Sequence, residues 1–205
     1  MDTVKYFLSF VEEECRKNKV KLIVSKESHV EAGGVFCNGY FSDQGTPTLA
    51  IATGKDQKLW LPILVHEYGH MTQWLEKAEV WEKNRIGKME SMDFIDLWLS
   101  DKIELSEDQK DNYFSRSILV EKDCEERTVK NIKKFNLPID TVDYTKRANS
   151  YILFYHIVRK CRRWYQPHKE PYNLSYVYSA MPEDFNLDYL TLSPELEEVL
   201  LQCFV

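Results

Sequence analysis

An α+β fold is what this sequence predicts, and three observations carry the prediction. Short apolar or alternating runs cluster in the first quarter of the chain, at residues 20–24, 35–41 and 48–53. Longer stretches with helical spacing of their apolar residues follow them. Polar cap and stop signals separate those stretches. A small, mostly antiparallel sheet is expected to pack on the helices, with a helical C-terminal part.

The elements can be taken in order. Asp2 or Thr3 caps a first helix whose buried face is Val4, Phe7, Leu8, Val11 and Cys15. Val20, Leu22 and Val24 alternate as a first strand. Residues 35–41 and 48–53 read as two more strands, joined as a hairpin by the turn-rich segment 42–47. Residues 78–105 read as a helical insert with Trp81, Met89, Phe94, Leu97 and Trp98 on its apolar side. Ser106 and Gln109 have capping-box spacing, and the helix they open runs to about Asn136, where Leu137-Pro138 stops it. Asp140-Thr141 opens a helix through Trp164. Ser193-Pro194-Glu195 opens the last one, with proline at the first helical position. Residues 172–185 read as an ordered loop or short hairpin beside the cleft. The expectation is one domain over 1–205: a core over 1–136 carrying the insert 78–105, and a helical part over 137–205 that completes the cleft.

One segment decides the chemistry. His66-Glu67-Tyr68-Gly69-His70 is an H-E-x-x-H motif. Residues four apart share a helix face, so His66 and His70 can hold one metal ion while Glu67 stands beside them as a general base. Two histidines with a carboxylate and one open position suit Zn²⁺. The plain alternative is a solvated face with two unrelated histidines. Against it, Leu61, Ile63, Leu64 and Val65 precede the motif and Met71, Trp74 and Leu75 follow it. A polar group on such a stripe needs partners, which a metal supplies.

The third ligand has to come from elsewhere, because Gln73 and Glu76 stand where a longer motif would place glycine and histidine. On the helix after Ser106, one face carries Phe114, Ile118, Glu121, Glu125, Thr128 and Ile132. Two acids in the middle of an apolar stripe are costly unless they are paired or metal-bound. Glu121 is read as the ligand and Glu125 as the acid that orients a zinc histidine; the reverse order stays open. Lys122, Glu126 and Lys130 fall off this face as ordinary solvated charges.

This layout resembles the ImmA/IrrE group of intracellular metallopeptidases, zincins with a glutamate ligand. Members of that group have a strand pair before the H-E-x-x-H helix and a Glu-x-x-Ala-Asn/Asp signature on a later helix. The counterpart here is Glu121-Lys122-Asp123-Cys124-Glu125, with Cys124 in the place of Ala and Glu125 in the place of Asn or Asp. The resemblance covers roughly residues 20–136. It implies a cytoplasmic peptidase with one Zn²⁺ per chain and a narrow protein or peptide substrate. A related protease type linked to nucleic acid carries a third histidine near the motif and a zinc ribbon, and both are missing.

Composition agrees. A net charge of −6 gives no general attraction to nucleic acid or acidic lipid. Five scattered cysteines without a C-x-x-C suggest neither a disulfide framework nor a zinc ribbon, and a reducing compartment fits best. No signal-peptide pattern or membrane-length apolar run is present.

The mechanism expected is hydrolysis. Zinc lowers the pKa of bound water towards about 7, and Glu67 accepts the proton and returns it to the leaving amine. Tyr151, Tyr155 and His156, on the helix after Asp140, are the candidates for stabilising the transition state. Strand 48–53 is read either as a sheet edge that takes an extended peptide or as an ordinary inner strand. Two other functions remain open: a zinc-binding regulatory protein that cleaves nothing, and a metal-dependent hydrolase of a non-peptide bond.

Overall fold

A computed structural model describes residues 2–204. The fold is mixed α+β, and the chain divides into two compact units, Met1–Ala78 with Cys124–Ile139, and Glu79–Asp123 with Asp140–Val205. The chain passes between the two units three times.

The first unit opens with helix α1 (Thr3–Lys17), capped by Asp2, whose Oδ1 accepts from Val4 N–H at 3.1 Å and Lys5 N–H at 3.2 Å. Five strands follow: β1 (Lys21–Ser25), β2 (Val30–Ala32), β3 (Val35–Cys37), β4 (Gly39–Ser42) and β5 (Thr48–Ala52). Helix α2 (Gln57–Glu76) carries the motif. The unit is completed by residues 124–134 of a long helix, α5 (Glu107–Lys134).

The sheet was expected to be mostly antiparallel. The three-stranded sheet has the order β1-β5-β4, with β1 parallel and β4 antiparallel to β5; the separate β2–β3 ribbon of this unit is wholly antiparallel. The reason lies in β5. Its sequence, Thr-Leu-Ala-Ile-Ala, is buried at every position, as befits a strand flanked on both sides rather than an edge. The peptide-accepting alternative for 48–53 is thereby corrected: β5 is the inner strand and β4 an outer one.

Two further readings change. Residues 35–41 form not one strand but two, broken at Asn38, whose carbonyl accepts from Ala52 N–H at 2.9 Å. In β1 it is Ile23 that packs against Val30, Ala50 and Ala52, whereas Val24 faces outward. On the other side of the sheet, α2 lies against β4 and β5. An aromatic cluster of Phe7, Phe10, Tyr68 and Phe135 joins α1, α2 and the residue that follows α5, with ring centroids 4.7–6.4 Å apart.

In the second unit, the expected insert consists of α3 (Glu79–Asn84), a ribbon of β6 (Arg85–Ile86) and β7 (Met89–Glu90), and α4 (Ser91–Leu99). Residues 107–123 of α5 begin at the expected capping box: Ser106 N–H donates to Gln109 Oε1 at 2.9 Å, and Gln109 N–H donates to Ser106 Oγ at 3.2 Å. Helices α6 (Thr141–Cys161), α7 (Ser175–Tyr178) and α8 (Pro194–Leu201) complete the unit, and α7 occupies the loop expected at 172–185. Its core is built on Ile152, Leu153, Phe154, Ile157 and Val158 of α6, all fully buried. Among the described residues, no helix is long and apolar enough to cross a membrane.

Candidate metal centre

Two glycines let α2 sit where it does. A Cβ at Gly39 would stand 2.9 Å from Ile63 Cγ2 and 3.0 Å from the Ala50 carbonyl, so β4 can pass under α2 only without a side chain there. A Cβ at Gly69 would stand 2.9 Å from Cys124 Sγ, 3.1 Å from the Cys124 carbonyl and 3.2 Å from Thr128 Oγ1. The motif helix is thus in backbone-close contact with the sheet on one side and with α5 on the other. Its N-terminus is fixed by Asp56, whose Oδ1 accepts from Lys58 N–H at 2.9 Å. Asp56→Ala is expected to cost about 1 kcal/mol through loss of this cap, to be read as a lower denaturation midpoint with the same transition steepness.

The helical repeat brings His66 and His70 together as expected. Their ring centroids are 4.6 Å apart and the rings are near perpendicular, at 87°. Glu67, one position round the helix, faces β4, and its Oε2 accepts from Phe41 N–H at 2.8 Å. Because the Asn38 carbonyl points at β5, the antiparallel alternation turns the peptide groups of Gly39 and Phe41 away from β5. The carboxylate of Glu67 therefore sits on the outer edge of the sheet.

Each imidazole has an oxygen partner on Nδ1. His66 Nδ1 is 3.1 Å from Glu125 Oε1, and the Glu125 side chain is only 7% exposed. A buried carboxylate next to this ring is what the acidic face of α5 led one to expect. Cys124, fully buried, adds a second hold: its thiol donates to the His66 carbonyl at 3.2 Å, and Sγ lies 3.6 Å from His66 Nδ1. Burial alone favours the neutral ring, but Cys124 and Glu125 outweigh it and hold the His66 pKa well above the usual imidazole range. A metal ion at this ring binds in competition with a proton. His70 Nδ1 pairs with Gln73 Oε1 at 2.8 Å.

Among the described residues, one ring nitrogen of each histidine and Cys124 Sγ lie within 4.8 Å of one another. The sulfur, however, approaches His66 from the Nδ1 side, where Glu125 also sits. With each Nδ1 facing an oxygen, Nε2 is the nitrogen of each ring turned away from those oxygens. Glu76, six residues past His70, is turned to Arg127, whose Nη1 is 2.6 Å away.

The remaining sequence candidates belong to the second unit. Glu121 is half-buried on α5, and its charge is one of the influences that raise the Tyr155 pKa, after burial and Tyr151. Tyr151 and Tyr155 share a hydroxyl–hydroxyl hydrogen bond of 3.2 Å inside an aromatic cluster with Trp164. His156 bonds the Tyr189 carbonyl through Nε2 at 2.9 Å, a contact that ties α6 to the segment before α8. His29 and His168 are exposed, as read from the sequence.

Sequence reasoning missed Gln73 and Cys124 as neighbours of the histidines. A signal for Gln73 existed: it is seven residues past His66 and three past His70, on the same half of the helix. For Cys124, the glycine at 69 was the clue, because a missing side chain on one helix makes room for a group on the next.

No protein-family model matches the chain, and neither a curated protein nor a solved structure matches it.

Proposed function

We propose that this protein is a zinc-dependent peptidase in which His66 and His70 hold the metal and Glu67 is the general base. The observation that supports the reading most is the pairing of both Nδ1 atoms with scaffold oxygens, Glu125 at 3.1 Å and Gln73 at 2.8 Å. Such pairing puts the lone pair of each neutral ring on Nε2, as metal-binding histidines require.

Zinc, when bound, supplies a Lewis-acid charge that acidifies water and polarises a carbonyl oxygen. The chain's own residues do the rest. The Phe41 N–H anchors one oxygen of Glu67, so the carboxylate is held in a fixed orientation. Glu67 takes a proton from the attacking water, holds it while the C–O bond forms, and delivers it to the amide nitrogen as the C–N bond breaks. An extended peptide has a place to lie along the outer edge of β4, where Gly39 and Phe41 turn their carbonyls outward while the Phe41 N–H stays with Glu67. In this reading Glu125 orients His66, and Glu121 stays the third ligand that the sequence alone proposes. The substrate class, an intracellular protein cut narrowly, is carried over from the resemblance of residues 20–136 to the ImmA/IrrE group.

Elemental analysis of protein purified without chelator tests the centre. One Zn²⁺ per chain is expected in the wild type and none in His66→Ala; equal zinc in both overturns the reading. Glu121→Gln is expected to bind zinc far more weakly, and Glu125→Gln by roughly 10- to 100-fold. If only Glu125→Gln abolishes binding, the two carboxylates exchange roles.

A further inference from the structure

Gln73, whose side-chain oxygen faces one of the two proposed metal ligands, is fully buried on the helix that carries both histidines. A buried amide is costly unless its polar atoms are bonded. Its Oε1 lies 2.8 Å from His70 Nδ1. An amide oxygen only accepts, so this contact requires the proton on Nδ1 and leaves the Nε2 lone pair pointing out of the other side of the ring. Glu125 makes the same demand on His66 from α5. The two rings are therefore held alike by acceptors of different origin and charge: a carboxylate from a neighbouring helix for His66, and a neutral amide one turn further along the same helix for His70.

We propose that Gln73 is the positioning residue of His70: its side-chain oxygen fixes the Nδ1–H tautomer and the rotation of the ring, and so aims Nε2 at the metal. The consequence for zinc rests on the reading of His70 as a ligand. The tautomer itself does not, and it exists in the metal-free protein.

The local arrangement favours this role over simple space-filling. A residue of similar volume without an acceptor, such as methionine, would fill the same pocket with less desolvation cost. Glutamate would keep the acceptor and add a charge. The two substitutions therefore separate packing from hydrogen bonding.

Long-range ¹H–¹⁵N correlation spectra of the metal-free protein, at a pH that leaves both rings neutral, read the tautomer directly. The wild type is expected to show His70 protonated on Nδ1. Gln73→Met is expected to lose that single state, with Nε2–H signals emerging, and Gln73→Glu to retain it. Zinc affinity, measured by chelator competition, is expected to fall roughly 10- to 100-fold in Gln73→Met and to recover in Gln73→Glu. An Nε2–H tautomer in the wild type overturns the proposal without any variant being needed, and so does an unchanged tautomer in Gln73→Met. The two readings fail separately. A tautomer shift in Gln73→Met with no zinc bound by any form, wild type included, upholds the role of Gln73 and removes the metal. Wild-type zinc affinity in Gln73→Met does the reverse.

Discussion

Glu67→Gln is expected to keep the fold and the zinc while losing hydrolysis by about 10²- to 10⁴-fold, the usual contribution of a positioned general base. The fold survives because a glutamine side-chain oxygen can still accept from Phe41 N–H, the contact that Glu67 makes at 2.8 Å. The metal survives because Glu67 is not one of its proposed ligands. What disappears is the proton acceptor, since a neutral amide has no basicity to offer. The measurement compares extracts treated with wild type and with Glu67→Gln, labelling the new protein N-termini. A cut made only by the wild type is the expected result. A biological effect of the protein that persists undiminished in Glu67→Gln would instead favour a zinc-binding regulator.

Gly69→Ala is expected to be among the most disruptive single-atom additions in the first unit. Alanine is the better helix former by about 1 kcal/mol, which argues for stabilisation. Overpacking argues the other way, at typically 1–3 kcal/mol and occasionally more. The second effect wins here because the atoms met by the new methyl cannot retreat. Cys124 and Thr128 are fully buried, and Thr128 Oγ1 is itself bonded to the Cys124 carbonyl at 2.9 Å. α2 must therefore shift away from α5, lengthening the 3.1 Å contact between His66 and Glu125. A lower denaturation midpoint and weaker zinc binding should appear together, and adding Cys124→Ala should restore part of both by removing the 2.9 Å contact with Sγ. A single variant as stable as the wild type would mean that the two helices are not so close.

Local chemistry was the part of this fold that the sequence made legible. Asp2, Ser106, Asp140 and Ser193 each begin a helix, because a cap is decided by a few neighbouring residues. The i, i+4 histidine pair was equally local. The partnership of Glu125 with His66 reached further and was still readable, since an acid on an apolar helix face must be paired with something. Sheet order was not. Nothing within residues 35–41 says that Asn38 divides them between two sheets, because the division depends on the carbonyl bond to Ala52, fourteen residues on. The same holds for β5: an apolar five-residue run fits an edge or an interior, and only its two partners decide.

The first unit is assembled from two separate stretches of chain, Met1–Ala78 and Cys124–Ile139, and this has a consequence in time. Translation delivers His66, Glu67 and His70 well before Cys124 and Glu125 exist. A nascent chain that has reached Ala78 carries the motif, but no carboxylate stands by His66, no helix lies against Gly69, and Phe7 and Phe10 lack the ring of Phe135. Domains generally fold as units while synthesis proceeds, so this unit closes only after the intervening 79–123 segment has been made and α5 has turned back onto α2. The arrangement delays closure around the two histidines until most of the polypeptide is present, and a prematurely terminated product would hold the H-E-x-x-H residues without Cys124 and Glu125 beside His66.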